Sequence, residues 1–295
     1  MTPGAGTPAP LPALPESSSP LPALQEGPTP LPALQEGPTP LPAPFEFDAP
    51  PDWRAIDFLS DLHLSPALPR TFEAWARHLR ETPADAVFML GDLFEVWVGD
   101  DARDLPFERR CVEVLADAAR RRRIGFMAGN RDFLVGAEML RASGLIALPD
   151  PTLLRAWGRR VLLSHGDALC LDDTDYQAFR RLVRGADWQR EFLARPLAAR
   201  QQLAAEMRRQ STSRRRFDGR DDADVDPVAA LAWLRAADAA VLVHGHTHRP
   251  GSGPLAPGFE RHVLSDWDLD DAERPHADVM RMTREGWQRL APASA

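Results

Sequence analysis

Residues 243–250, VHGHTHRP, place three of the chain's eight histidines within five positions. Imidazole is the commonest protein metal ligand, but histidines beside a turn are as readily solvated polar residues, so the stretch is ambiguous by itself. Four other short segments carry the partners that metal chemistry needs: SDLH with Asp61 and His63, GDL with Asp92, GNRD with Asn130 and Arg131, and SHGD with His165. All 35 basic residues are arginine and Asn130 is the single asparagine, a bias that a GC-rich genome explains and that makes the surviving asparagine conspicuous. It could equally be a left-handed turn residue after Gly129. Oxygen and imidazole donors without thiolate suit Mn, Fe, Zn or Mg rather than a structural zinc finger. Asp61, His63, Asp92, Asn130, His165, His246 and His248 are too many for one tetrahedral ion, whereas two ions sharing a bridging carboxylate use them well. Two ions roughly 3.5–4 Å apart clamp a phosphoryl group and activate a water for in-line attack. Any one of these segments is more ordinary as a turn; five in a fixed order carry the reading.

Each segment closes an apolar run of strand length: AIDFLSDLH (55–63), AVFMLGDL (86–93), IGFMAGNRD (124–132), RVLLSHGD (160–167) and AAVLVHGHTH (239–248). Short continuous apolar runs read as buried strands. Phe72, Trp75 and Leu79 lie at helical spacing between the first two runs, and Phe107, Cys111, Val114, Leu115 and Ala118 before the third. Strands alternating with amphipathic helices predict an α/β domain with a largely parallel sheet, whose site lies beyond the carboxyl ends of the strands. Asp61 with His63, and His246 with His248, are two apart and can point the same way from an extended segment.

The first fifty residues are of another kind. Residues 11–50 repeat a ten-residue unit, LPALPESSSP, LPALQEGPTP, LPALQEGPTP and LPAPFEFDAP, and sixteen of the 29 prolines lie in residues 1–51. Proline at this density favours extended conformations without a core, so residues 1–52 are expected to be a disordered, dispensable tail and 53–290 the folded domain. The tail holds six acids and no base, most of the chain's net charge of −8. No apolar run is long enough to span a bilayer and the start lacks a secretory signal, which with two cysteines, Cys111 and Cys170, predicts a cytoplasmic address.

Taken in order, D-x-H, G-D, G-N-[HR]-D, H-G-D and G-H-x-H resemble the motifs of the calcineurin-like metallophosphoesterase superfamily. Within it, GDLFEVWVGDD (91–101), GNRDFLVG (129–136), HGDALCLDD (165–173), YQAFR (176–180) and HGHTHRP (244–250) resemble the UDP-2,3-diacylglucosamine diphosphatases of lipid A synthesis. The resemblance covers about residues 54–290. It implies an α/β/β/α sandwich with an inserted helical lid at about 172–235. It further implies one Mn on Asp61, His63, Asp92 and His248, and a second on Asp92, Asn130, His165 and His246. Asn130, Arg131, Asp173, Ser211 and His246 are the implied substrate contacts. The implied reaction splits the pyrophosphate of UDP-2,3-diacylglucosamine into UMP and 2,3-diacylglucosamine 1-phosphate, peripherally at the cytoplasmic leaflet of a Gram-negative inner membrane. The chain departs from the family where an asparagine and a lysine are expected, since Arg215 and Asp218 occupy those positions in RRRFDG (214–219).

Two expectations concern mechanism. Arg131 and the nonligand His244 are candidates to stabilise charge on the phosphoryl oxygens. Arginine does not donate a proton usefully, so the site suits a leaving group that departs unprotonated, such as one half of a pyrophosphate. Residues 172–220 carry twelve arginines against seven acids, and Tyr176, Phe179 and Val183, then Trp188 and Phe192, fall at helical spacing. They predict a lid, apolar inside for acyl chains and basic outside towards anionic lipid, with many of the arginines merely solvated. No stacking aromatics interleave with the arginines, so nucleic acid is not expected as a partner, nor is an obligate protein partner. The rival readings are another two-metal phosphodiesterase and a non-catalytic scaffold of the same fold.

Overall fold

The computed structural model describes residues 40–218 and 224–293, the side chains of 210–218 excepted. In chain order the first elements are β1 (Phe45–Asp48), β2 (Ala55–Leu59), α1 (Pro69–Glu81), β3 (Ala86–Leu90), α2 (Pro106–Ala119), β4 (Arg123–Met127) and α3 (Ala137–Ser143). Next come β5 (Ile146–Ala147), β6 (Thr152–Ala156), β7 (Arg159–Leu163), α4 (Thr174–Val183), α5 (Ala186–Leu193), α6 (Leu197–Asp218) and α7 (Pro227–Ala236). The chain finishes with β8 (Val241–His244), β9 (Gly251–Ala256), β10 (Phe259–Val263), β11 (Val279–Thr283) and β12 (Trp287–Leu290). Among the described residues no helix is long and apolar enough to cross a membrane.

The strands form two six-stranded sheets, ordered β12-β11-β2-β3-β4-β5 and β1-β6-β7-β8-β10-β9. Period-two alternation sorts their side chains between layers. In β3, Ala86, Phe88 and Leu90 face the other sheet, while Val87 and Met89 face the helices. Leu154, Val161, Leu163, Val243 and Met280 complete the core between the sheets. The first sheet is covered by α1 and α2, whose Phe72, Trp75, Leu79, Cys111 and Leu115 are buried. The second is covered by α7, with Ala229, Ala230, Trp233 and Leu234 against Leu153, Leu162 and Leu242. The result is a four-layer α/β/β/α sandwich. The five motif strands are divided, β2, β3 and β4 running parallel in one sheet and β7 and β8 parallel in the other. The single, largely parallel sheet expected from the alternation of elements is replaced by two mixed sheets, because β6–β7, β9–β10, β11–β12 and β2–β11 pair antiparallel.

Two expected boundaries move. The last proline repeat is not tail: Phe45–Asp48 pairs in parallel with Thr152–Arg155, and Phe47 meets the Phe88 ring edge-on at 5.3 Å. That repeat replaces LQEG with PFEF, which supplies aromatic side chains to bury. Residues 1–39 lie outside the described residues. At the other end, α7 belongs to the expected lid (172–235) by number but to the core by burial. The segment outside the four layers is therefore α4 to α6, anchored to the first sheet's helix-facing core by Phe192.

Candidate metal centre

Every expected ligand follows the carboxyl end of a strand: Asp61 and His63 after β2, Asp92 after β3, Asn130 after β4, His165 after β7, and His246 and His248 after β8. The backbone that aims them is not extended, contrary to expectation. Asp61 (φ 52°), His63 (47°), Asp92 (55°), His246 (66°) and His248 (51°) are all left-handed, five of the seven non-glycine residues so found among those described. A strand continued straight would send alternate side chains into the core, whereas a left-handed residue turns the chain across the sheet end. The conformation costs on the order of 1–3 kcal/mol per residue and persists only where the surroundings over-determine it. Asn130 is not among them, which removes its reading as a left-handed turn residue.

Interloop bonding does the determining. Asp61 N donates to Gly91 O (3.1 Å), His63 N to Asp92 O (3.0 Å) and Gly245 N to His165 O (3.0 Å). His246 N donates to Asp61 Oδ2 at 2.9 Å and Arg131 N to Asp92 Oδ1 at 2.8 Å. The buried Asp132 carboxylate accepts from Gly129 N and Leu93 N, both at 2.7 Å, tying the β3 and β4 loops together. Burial and the nearby Asp92 charge push its pKa up to about 7. Two glycines permit this crowding. A Cβ on Gly91, itself at φ 94°, would collide with the His165 ring, and one on Gly129 with the Asp92 carboxylate.

The seven side chains converge. His63 Nε2 and His248 Nε2 are 3.3 Å apart and stand 3.9 and 3.3 Å from Asp61 Oδ1. His165 Nε2 lies 3.7 Å from Asp92 Oδ1. Asn130 Oδ1 is 2.9 Å from both His165 Nε2 and His246 Nδ1. Two clusters have ligand atoms close enough to share an ion, Asp61–His63–His248 and Asp61–Asp92–His165. Asp61 Oδ1 is buried without a hydrogen-bond partner, and His165 Nδ1 faces the Leu90 carbonyl at 2.9 Å, a bond that leaves Nε2 as a lone pair. The Asn130 amide could turn to donate to both imidazoles. With a cation between them, the oxygen as placed and the two ring nitrogens become three ligands. Oxygen and imidazole donors with an orphaned anionic oxygen fit divalent metal.

Metal-free electrostatics show the same crowding. Burial raises the Asp92 carboxyl to about 6, the Asp61 and Asp167 charges adding to it against His165 and His63. Burial opposes charge on His165, but Asp92 and Asp61 carry it up to about 9. Burial opposes charge on His248 too, but the adjacent Asp61 carboxylate carries it up to about 9. Burial and the His165 charge push His246 down to about 3. Bound cations would replace these protons.

The remaining expected residues divide. Arg131 is at the centre, its Nε 3.7 Å from Asp92 Oδ2. His244 does not meet its expected role. It is fully buried, Nδ1 pairs with the Gly245 carbonyl at 2.8 Å, and burial lowers its pKa to about 4, so it is neutral and presents no positive charge. Asp173 is the N-cap of α4, accepting from Tyr176 N at 3.0 Å. The side chain of Ser211, like those of Arg214, Arg215, Arg216 and Asp218, lies outside the described residues.

Several site residues had no expectation attached. Asp167 is fully buried and receives Tyr176 Oη (2.6 Å) and Arg180 Nε (2.8 Å), pinning α4 to the loop that carries His165. Arg184 Nη2 donates to Gly129 O at 2.9 Å, and Arg208 of α6 pairs with Glu95. Arg200 is buried on Asp101 and the Val98 carbonyl. Glu95, Asp132 and Asp167 stood inside the quoted motifs, but Asp266, discussed below, carries no spacing that would single it out.

Fold and centre together define a metal-dependent phosphoesterase of the calcineurin-like class, and the chain belongs to that family: the calcineurin-like phosphoesterase profile matches residues 55–250. Among its relatives, the UDP-2,3-diacylglucosamine hydrolase of Bordetella pertussis is 41% identical over 236 residues, covering 78% of this chain and 92% of that protein. The protein of the same name from Aromatoleum aromaticum is 45% identical, covering 73% of this chain and 89% of its own. Among solved structures, vacuolar protein sorting 29 from Cryptosporidium parvum covers 78% of this chain and 86% of its own at 14% identity and a TM-score of 0.41.

Proposed function

We propose that the chain hydrolyses the pyrophosphate bond of UDP-2,3-diacylglucosamine, releasing UMP and 2,3-diacylglucosamine 1-phosphate for lipid A synthesis. The observation that carries it is the identity of over 40% to proteins named as hydrolases of that substrate, along almost their whole length, in a chain whose candidate ligands lie close together. Two Mn ions are the expected cofactors, one on Asp61, His63, Asp92 and His248 and one on Asp92, Asn130, His165 and His246. Bound there, they supply Lewis-acid stabilisation of the phosphoryl oxygens and activation of water near neutral pH.

The chain's own residues do the rest. Asp92, a member of the Asp61–Asp92–His165 cluster, is the bridging ligand in this reading, and the backbone of Arg131 fixes one of its oxygens. The Arg131 guanidinium, beside Asp92, offers permanent positive charge to the phosphoryl group in the transition state. It supplies no proton, and none is needed, because a phosphate monoester with a pKa near 6 leaves as the anion. Asn130, Asp173, Ser211 and His246 are the further substrate contacts in this reading. Phe179 and Leu182 on α4 and Leu193 on α5 are exposed apolar side chains that acyl chains can cover. Arg181 on α4, Arg190 on α5, Arg195 between α5 and α6, and Arg209 on α6 are exposed and suit an approach to anionic lipid at the cytoplasmic face of the inner membrane.

The test is UMP release by the purified, Mn-loaded protein given the diacylated substrate. Hydrolysis of simple phosphodiesters with no UMP from the lipid would replace this reading with that of a general two-metal phosphodiesterase, and no turnover of either with that of a scaffold.

A further inference from the structure

The ligand imidazoles differ in what stands behind them. His165 turns its rear nitrogen, Nδ1, to a neutral group, the Leu90 carbonyl at 2.9 Å. His63 and His248 each have an anion there instead. His63 Nδ1 is 3.4 Å from Glu95 Oε2, and His248 Nδ1 is 3.5 Å from Asp266 Oδ2. Both spacings exceed a formed hydrogen bond, and His63 Nδ1 has no other partner. Each carboxylate thus stands one small side-chain rotation from bonding. Each also has a second partner, Glu95 Oε1 pairing with Arg208 of α6 and Asp266 Oδ2, the oxygen that faces His248, with His276 Nε2 at 3.1 Å. These are the two imidazoles that converge on Asp61 Oδ1. The two imidazoles of the Asp61–His63–His248 cluster are thus backed by carboxylates, and His165 of the other cluster by a backbone dipole.

A carboxylate behind a ligating imidazole fixes its tautomer and raises its basicity, and removing such a partner typically costs about 10–100-fold in metal affinity. Exposure argues the other way, since the His248 side chain is 35% exposed and that of His165 is fully buried. We infer that Glu95 and Asp266 are positioning residues that outweigh this exposure and make the Asp61–His63–His248 position the tighter of the two, so that the centre loads in two unequal steps. The inference rests on the two-cation reading above and goes beyond it in assigning an order.

The experiment is Mn titration of the chelator-stripped full chain, followed by the EPR signal of free Mn and by calorimetry. It compares the wild-type protein with Glu95→Gln and Asp266→Asn, which keep side-chain shape and remove charge. The wild-type isotherm is expected to show two classes of site. Either substitution should weaken the tighter class by about 10–100-fold and leave the weaker class within about threefold. A general loss of structure would weaken both classes together, and that result overturns the inference, as does a shift confined to the weaker class or no shift in either variant. A single class in the wild-type protein would overturn the two-cation reading itself and this order with it. None of these results depends on which phosphate ester is the substrate.

Discussion

Asp92 belongs to the Asp61–Asp92–His165 cluster, bonded to Arg131 N and 3.7 Å from His165, and in the proposed two-ion reading it is the ligand the ions share. Asp92→Ala should therefore abolish turnover with circular dichroism unchanged. His248→Ala should do the same through one cluster alone. More than a few per cent of activity in metal-loaded Asp92→Ala would sink the shared-ligand reading. Arg131 should behave as a charge. Arg131→Lys keeps part of kcat/KM, whereas Arg131→Ala loses on the order of 3 kcal/mol of transition-state stabilisation. Arg131→His should depress pyrophosphate cleavage and spare an alkyl phosphodiester, whose leaving group needs a proton. An equal fall on both substrates would make Arg131 a substrate-positioning residue only. The metal-free protein should also respond to pH with a definite sign. His165 and His248 have pKa values raised from 6.5 to about 9. The stability they lend is complete below pH 6.5 and fades as pH rises through about 9. Mn affinity should climb over the same interval, because each ion displaces those protons. Melting temperatures and Mn isotherms of stripped protein between pH 6 and 9.5 measure both; a flat melting curve would contradict the assignment.

Among the elements, the helices α4 to α6 gain most from being seen folded. Trp188 stacks on Phe192 at 4.8 Å, and Phe192 is buried with the core of the first sheet. Phe192 is therefore a foundation of the segment and not an acyl contact, so Phe192→Ala should cost about 3–5 kcal/mol of stability whatever the substrate. Among the described residues of these helices, the exposed large apolar side chains are Phe179, Leu182 and Leu193. Leu182→Asp combined with Phe179→Asp should lower kcat/KM for the diacylated substrate at least tenfold and leave a small phosphodiester within about twofold. Equal losses on the two substrates would remove the acyl-binding role. Composition suggested a basic outer surface, yet Arg180, Arg184, Arg200 and Arg208 turn inward to carboxylates and carbonyls. A count of arginines carries no direction.

Across the whole molecule, the β1 strand changes what truncation should do. Removing residues 1–39 should leave melting temperature and kcat/KM unaltered. Removing residues 1–50 also strips β1 from the edge at Thr152–Arg155 and Phe47 from Phe88 and Trp53. The longer truncation should lower the melting temperature measurably while the metal centre, on other strands, still binds Mn. Identical melting of the two truncations would mean that β1 contributes nothing to the sandwich.

Residue type and order in the sequence were enough to pick out the seven candidate ligands, the strand ends that bear them and the α/β class. Apolar runs of strand length and the donor chemistry of Asp, Asn and His are local properties. Which sheet each strand joins was not legible, because a parallel or antiparallel partner is chosen by pairing far along the chain, as β2 with β3 on one side and β11 on the other. Nor was the left-handed turn at Asp61 or His246, since those conformations are held by the loops they meet. His244 shows the limit most plainly. It has the same chemistry as His246 and His248 and stands two and four residues before them, yet it is buried and neutral on β8. The tertiary structure supplies the reason that His246 and His248 reach the centre and His244 does not: the strand ends at His244 and the backbone turns after it.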